Sequence, residues 1–270
     1  MRLAVRHRTT YHYTSRARYL AQILRMTPLD GPGQKVLSWS VEADGGRRLP
    51  HYVDGFGNVT HLHTLHDWHD EVSISVEGIV ETWDTAGVLG MIPEQLPPGF
   101  FARSTSLTAP NALVLELAAK AAGEADGLAR LHRLMECARE DVAYVPGVTS
   151  AETTAGEALL AGAGVCQDHA HVFVAAARCL GHPARYVSGY LHAVSDAKDA
   201  LASHAWAEAW VPELGWVGFD PSNGIAPTER YVRTGVGLDY ADAAPVRGVR
   251  RGAPGHSLRV RVHVEEIAVQ

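Results

Sequence analysis

The chain has 270 residues, 46% of them hydrophobic and 20% charged, a composition typical of a soluble protein with one large core or two modest ones. The formal net charge of −6, without any run rich in Lys or Arg, argues against a nucleic-acid partner. No apolar run approaches the roughly 20 residues of a membrane span, and the first residues lack the apolar stretch of a secretory signal. We therefore expect a soluble, cytoplasmic protein without a membrane partner.

Residues 1–84 are predicted to form an all-β, sandwich-like domain. Apolar and polar residues alternate with a period of two around residues 3–5, 36–41 and 72–76. Turn signals rich in Gly, Pro, Asp and Asn separate these segments at residues 30–33, 45–46 and 54–58. From residue 85 to residue 110 the alternation gives way to Gly, Pro, Ser and Thr, and this segment is predicted to be a linker.

Residues 111–270 are predicted to form an α+β catalytic core. The apolar period changes to about 3.6 after the linker, and Thr154 and Glu157 have the spacing of a capping box at a helix start. A second helix is predicted from about Cys166 to Leu180, where Gly181 and Pro183 end it. Strands are predicted at residues 184–192, 203–211, 216–220 and 258–264, and the second and third are expected to pair antiparallel through a turn at residues 212–215.

Cys166 has the sequence setting of a reactive thiol. A thiol reacts as its thiolate, and the unpaired amides and dipole at the first turn of a helix stabilise a negative charge. The polar neighbours Gln167 and Asp168 make a poor apolar pocket for a structural thiol, which is the simpler alternative. Cys137 and Cys179 lie in apolar helical patterns and are assigned to packing. With an odd number of cysteines, a disulfide framework is not expected.

An imidazole and a carboxylate can be matched to this thiol. Among fifteen histidines, His204 lies in a predicted strand whose alternation puts it on a face with Trp206, opposite a face of small alanines. Asp220 ends the neighbouring strand, directly before Pro221, where it can orient the imidazole and support its positive charge. Cys166, His204 and Asp220 are therefore the predicted catalytic triad.

Four ordered motifs, at residues 164–168, 184–190, 203–206 and 215–221, resemble the core of the bacterial transglutaminase-like superfamily. Residues 52–58 resemble the N-terminal domain that often precedes this core. The resemblance implies a papain-like core, no cofactor, and attack by Cys166 on a carbonyl with His204 moving the proton. It also suggests Tyr144 as a second oxyanion donor beside the Cys166 amide. His169 and Leu238 depart from the family pattern, in which an aromatic residue and an arginine are common.

We expect hydrolysis of an amide or peptide bond in a peptide or protein substrate, through a thioester acyl-enzyme. Acyl transfer to an amine and a non-catalytic peptide-binding module are the alternatives. Trp206 is a candidate for lining the substrate channel, whereas Trp210 and Trp216 are assigned to the core. The sequence does not indicate the oligomeric state.

Metal sites are alternatives at two places. Cys166, His169 and His171 are close in sequence, but a fourth ligand is missing and His171 points elsewhere on the helix. A second cluster, in which surface histidines are the simpler reading, contains His61, His63, His66 and His69. Calcium is not implied, because Asp196 and Asp199 lack companions at EF-hand spacing.

Overall fold

The structure, a computed structural model, describes residues 1–192, 203–252 and 255–268. The strands are β1 (Arg2–Ala17), β2 (Tyr19–Thr27), β3 (Gln34–Ala43), β4 (Arg47–Arg48), β5 (His51–Val53), β6 (Val59–Leu65), β7 (His69–Thr82), β8 (Val88–Gly90), β9 (Ala143–Tyr144), β10 (Ala163–Gly164), β11 (Ala184–Leu191), β12 (Ser203–Val211), β13 (Gly215–Phe219), β14 (Tyr231–Gly237), β15 (Val246–Arg251) and β16 (His256–Glu266). The α-helices are α1 (Ala112–Ala121), α2 (Gly127–Asp141), α3 (Ala155–Ala161), α4 (Cys166–Cys179) and α5 (Tyr240–Ala243), and residues Pro98–Ala102 form a 3-10 helix.

The N-terminal part is a sandwich of two antiparallel sheets. One sheet has the strand order β16-β1-β7-β3-β4 and the other has the order β15-β2-β6-β5. Alternate residues point inward, so the two sheets enclose an apolar cluster that includes Leu24, Val41 and Ile74. The predicted sandwich-like N-terminal domain and the mixed α+β class are confirmed.

The last strands of the chain belong to the sandwich, which differs from the predicted domain boundaries. Residues 111–270 were assigned to the core, but β15 pairs with β2 and β16 pairs with β1 over eleven residues. A strand with one apolar face needs a sheet edge to join, and the sandwich offers such an edge at β1.

The predicted linker is also part of the fold. Its segment β8 pairs with β13 at the edge of the core sheet. The guanidinium of Arg178 on α4 donates to the carbonyl of Phe101 and to the hydroxyl of Thr108, both within the linker. Residues 85–110 are therefore anchored to the core by backbone pairing and by buried hydrogen bonds.

The core is a five-stranded antiparallel sheet of order β14-β11-β12-β13-β8 with helices on one face. Helix α4 packs on β11 and β12, where alanines of the strands allow close approach, and α1, α2 and α3 surround it. The sheet also contacts the sandwich, because Tyr190 and Val232 pack against Leu3, Val5 and Val80. None of the helices that the structure describes is long and apolar enough to cross a bilayer.

Candidate active site

Cys166 is the first residue of α4, at the position that sequence analysis predicts. The amide of a first helical residue has no acceptor within the helix, so this N–H is available to another group. The carboxylate of Asp168 accepts the amide of Val165 at 2.8 Å and the hydroxyl of Thr149 at 2.7 Å, which secures the helix start. A side chain on Gly164 would collide with Asp168, so the glycine permits this close approach.

His204 is the second residue of β12. Its backbone partner on β11 is Gly189. A Cβ at Gly189 would lie 2.1 Å from the carbonyl oxygen of Val232 and would strike the ring of Trp206. Because residue 189 is glycine, the Trp206 ring can lie behind the imidazole, with ring centroids 6.3 Å apart and planes 25° apart.

Asp220 follows the last residue of β13 and is completely buried. Strand β13 pairs with β12 in a register that places Phe219 opposite Ala207. Continuing this register by one residue places Asp220 opposite Trp206, and His204 lies two residues further along β12. The two side chains are therefore diagonal neighbours on adjacent antiparallel strands, a separation that side-chain hydrogen bonds can bridge.

The carboxylate of Asp220 is saturated with donors. Its Oδ2 atom accepts hydrogen bonds from His204 Nε2, Asn223 Nδ2 and Tyr231 Oη, each at 2.7 Å. Its Oδ1 atom accepts from the amide of Ser222 at 3.0 Å, the hydroxyl of Ser222 at 2.7 Å and the amide of Asn223 at 3.2 Å. A buried carboxylate with this many donors is held in its ionised form.

The electrostatics of the site favour an imidazolium beside a carboxylate. Burial by itself lowers the pKa of His204, but hydrogen bonds to Asp220 and Cys166 and the charges of both groups raise this pKa to about 10. Burial by itself raises the pKa of Asp220, but the hydrogen bond and charge of His204, with hydrogen bonds from Ser222 and Asn223, lower it to about 2. Because Nε2 of His204 bonds Asp220, Nδ1 is the ring nitrogen left for the thiol.

Tyr144 lies on the short strand that pairs with the residues just before Cys166. Strand β9 pairs in parallel with β10, and the partner of Tyr144 is Gly164, two residues before Cys166. Burial, the charges of Cys166 and Asp220, and a hydrogen bond to Cys166 raise the pKa of Tyr144 to about 12. The phenol is therefore protonated at neutral pH and able to donate. The side chain is half exposed, so solvent reaches this side of the thiol.

Trp206 lies two residues after His204 on β12, and its part in a substrate channel stays a prediction. It is 2% exposed and packs with Val187, Tyr231 and Val236. It therefore lies behind the imidazole. Trp216 is completely buried and stacks edge-on with Trp210, in agreement with their assignment to the core.

Sequence analysis missed Tyr231 and Asn223, two residues that contact the His204–Asp220 pair. Tyr231 on β14 donates to Asp220 and packs edge-on against His204, with ring centroids 5.9 Å apart. Asn223 bonds Asp220 from the turn that follows it. The short Ser-Asn-Gly turn after Asp220 is a signal that could have identified Asn223. No local signal identifies Tyr231, because β14 reaches Asp220 only through the folded sheet.

The alternative metal site on α4 is contradicted by the contacts of its proposed ligands. Both ring nitrogens of His169 contact backbone carbonyls, Val165 at 2.9 Å and Val142 at 2.8 Å. Nε2 of His171 accepts the amide of Tyr240 at 3.0 Å. These imidazoles therefore belong to the packing of the helix.

In the sandwich cluster, His63 bonds Gln22 and Asp44, and the ring of His61 lies against His51. Among residues 1–192, 203–252 and 255–268, no group of three His, Cys, Asp or Glu side chains is arranged to hold a metal ion. Asp196 and Asp199 lie outside the described residues.

The two departures from the family pattern have different positions. His169 fills the space of an aromatic residue: its ring stacks on Tyr144 at 6.1 Å and its nitrogens tie α4 to the segment before β9. It therefore helps to place the phenol beside the thiol. Leu238 packs with Phe101 and Trp216 in a cluster that does not include Cys166.

Comparisons with known proteins show the family and the fold. Residues 115–221 match the family described as the transglutaminase-like superfamily, and residues 3–81 match the bacterial transglutaminase-like N-terminal region. An uncharacterized protein of Mycobacterium leprae is 32% identical, and the match covers 99% of this chain and 99% of that protein.

Two further proteins bear on the fold and on the chemistry. The crystal structure of a candidate cysteine protease from Cytophaga hutchinsonii has a TM-score of 0.77 and 21% identity, over 100% of this chain and 92% of that chain. At this identity the likeness shows the fold alone. A protein-glutamine gamma-glutamyltransferase of Pseudomonas aeruginosa is 34% identical over 102 residues, which are 34% of this chain and 15% of that protein.

Proposed function

The chain belongs to the transglutaminase-like superfamily, and we propose that it is a cysteine-nucleophile enzyme that hydrolyses amide or peptide bonds. The observation that carries this proposal is the position of His204, whose Nε2 lies 2.7 Å from the buried carboxylate of Asp220 and whose pKa is raised by both Asp220 and Cys166. A nucleophile, a base in contact with it, and a third group that orients the base together form the arrangement that acyl transfer requires.

In the first half of the reaction, Cys166 Sγ bonds to the substrate carbonyl carbon and the carbonyl oxygen becomes an oxyanion. The Cys166 amide and the Tyr144 hydroxyl are the donors proposed for that oxyanion. His204 gives its proton to the leaving nitrogen as the C–N bond breaks, which releases an amine and leaves a thioester.

In the second half, water attacks the thioester carbonyl and His204 removes a proton from that water. The C–S bond then breaks, which releases the acid and restores the thiolate and imidazolium. Throughout, the Asp220 carboxylate accepts a hydrogen bond from Nε2–H and keeps Nδ1 directed at the thiol. Water is the proposed acceptor because half of the Tyr144 side chain beside the thiol is exposed to solvent.

Selective alkylation tests the proposed nucleophile and includes controls within the chain. We expect iodoacetamide near pH 6 to modify Cys166 at least ten times faster than Cys179, because only Cys166 has an imidazolium beside it. Cys179 is exposed, and burial of part of its thiol raises its pKa, so it reports the rate of an unactivated cysteine. Buried Cys137 reports unfolding. Equal rates at Cys166 and Cys179 would support a non-catalytic binding module.

Acyl transfer to an amine is the second candidate function, and the partial likeness to the gamma-glutamyltransferase favours it. A peptide library that includes glutamine-containing members, incubated with a labelled primary amine, separates the two reactions. Hydrolysis predicts new peptide termini or released ammonia without label, whereas transfer predicts label on the peptide. Cys166→Ser is the control for both. Label exceeding hydrolysis at millimolar amine would replace the hydrolase proposal with transfer.

A further inference from the structure

The outward face formed by β16, β1 and β7 has two zones. In one zone the arginines are paired with carboxylates, and in the other they are not. In the first zone, arginines lie directly opposite carboxylates: Arg2 pairs with Glu81, and Arg6 pairs with Glu77. Both pairs form ion contacts, at 3.2 and 3.4 Å, and Arg6 also contacts Glu265 on β16 at 3.3 Å. Such opposite-charge pairs across strands are the stabilising arrangement for an exposed sheet face.

The second zone begins one outward position further along β1 and has no such matching. Arg8 lies directly opposite Arg261 on β16, and its partner on β7 is Ser75. Arg259 lies two residues before Arg261, so it shares the same face. All three side chains are exposed, and within the described residues none of them forms an ion pair. Like charges directly opposite each other destabilise a strand pair unless something neutralises them.

These arginines surround a defined recess. The recess has a volume of about 210 Å³ and is lined by Arg8, Arg259, Arg261, Thr10, His12 and Glu71. Its one carboxylate, Glu71, is 3.2 Å from His12. The recess is therefore lined by three arginines and one carboxylate, and that carboxylate pairs with His12, while none of the three arginines forms an ion pair among the described residues.

We infer that this recess binds a phosphate group, carried either by a soluble phosphorylated compound or by a lipid headgroup. A planar guanidinium presents paired N–H donors that match phosphate oxygens, and two opposed arginines with a third beside them can surround one phosphate. A bound phosphate would neutralise the repulsion between Arg8 and Arg261. The site lies on the sandwich and involves none of the residues proposed for catalysis. Phosphate binding can therefore be tested independently of the proposed activity.

The test uses the full chain, with inorganic phosphate, pyrophosphate, and phosphatidylcholine vesicles with or without phosphatidic acid as probes. The variant is Arg8→Gln combined with Arg261→Gln. Arg6→Gln is the matched control, because Arg6 is on the same strand and face but already contacts two carboxylates. At constant ionic strength we expect affinity for at least one probe to fall tenfold or more in the double variant and less than twofold in the control.

Thermal unfolding separates loss of a site from loss of fold. Without phosphate, the double variant should unfold at the same temperature as the wild type or a higher one, because a repulsion has been removed. With phosphate, the melting temperature of the wild type and of Arg6→Gln should rise and that of the double variant should not. Binding of the soluble probes identifies a soluble ligand, and binding of phosphatidic acid vesicles alone identifies a headgroup. Absence of binding to every probe, or an equal rise in all three proteins, overturns the inference.

Discussion

Two buried histidines in this protein each bond a carboxylate, but the two imidazoles differ in their other neighbours. In the sandwich, His63 Nε2 is 2.8 Å from Asp44 Oδ2, and Nδ1 is 2.9 Å from the side-chain oxygen of Gln22. In the core, His204 Nε2 is 2.7 Å from Asp220 Oδ2, and Cys166 contributes to the raised pKa of the imidazole.

The two pairs also differ in which partner meets solvent. The His63 side chain is completely buried while that of Asp44 is 28% exposed, whereas Asp220 is completely buried and His204 is 7% exposed. A buried carboxylate cannot be stabilised by water, so the charge of Asp220 supports an imidazolium. A histidine–aspartate pair therefore acquires a chemical role from the group on the other ring nitrogen and from the burial of its carboxylate.

Removing each imidazole in turn tests whether His204 has a chemical role and His63 a structural one. We expect His204→Ala to lower both the alkylation rate of Cys166 and any hydrolytic kcat/KM by about 10³-fold or more, because the thiol loses its base. His63→Ala should keep both rates within about threefold but reduce the free energy of unfolding by about 2–4 kcal/mol, because it leaves a cavity and unpaired polar groups. Similar losses of thiol reactivity in the two variants, with both proteins folded by circular dichroism, would contradict the assignment.

Neutralising each carboxylate is a more conservative test. Asp220→Asn keeps the shape of the side chain but removes the charge that holds the imidazolium and its tautomer, and we expect kcat to fall by about 10²–10⁴-fold. Asp44→Asn should change kcat by less than about threefold. Steady-state kinetics on the best peptide from the library would measure both, and an Asp220→Asn enzyme with more than a tenth of wild-type kcat would remove Asp220 from the triad.

Tyr231 allows the role of the Asp220 environment to be tested separately, because it contacts Asp220 without contacting the thiol in any described interaction. Tyr231→Phe removes one of the donors that keep the pKa of Asp220 low, so that pKa should rise. We expect kcat to fall by about tenfold with KM unchanged, and the acidic limb of the pH profile to move to higher pH. Tyr190→Phe is the matched control, since the Tyr190 hydroxyl bonds His7 of the sandwich at 3.0 Å. Equal kinetic effects of the two changes would indicate a packing role for Tyr231.

The smallest expected effect is a pH dependence of stability. His204 has a folded-state pKa of about 10, above the ordinary value of 6.5, so its contribution to stability is complete below pH 6.5 and disappears as the pH rises to 10. The difference in melting temperature between wild type and His204→Gln should therefore be constant from pH 5 to 6.5 and shrink above that. A difference that grows between pH 7 and 10 would contradict the raised pKa.

Much of the site was accessible from local sequence patterns. The helix predicted from Cys166 to Leu180 is observed as Cys166–Cys179, and the capping box of Thr154 and Glu157 is present. These features are determined by residues within one or two helical turns, because N-terminal caps and glycine terminators act over that distance. The order and spacing of the four motifs led to Cys166, His204 and Asp220, of which His204 and Asp220 form a hydrogen bond of 2.7 Å.

Contacts between distant strands required the tertiary structure. The return of β15 and β16 to the sandwich, the donor that Tyr231 provides to Asp220, and the burial of Trp206 have no local signature. A strand's own residues determine that it has an apolar face, but its partner depends on which sheet edges are unoccupied once the remaining chain has folded. For this protein, sequence alone predicted a nucleophile and a base and located the helix start, whereas only the folded sheets decided which side chains surround these residues and which arginines face each other on the sandwich.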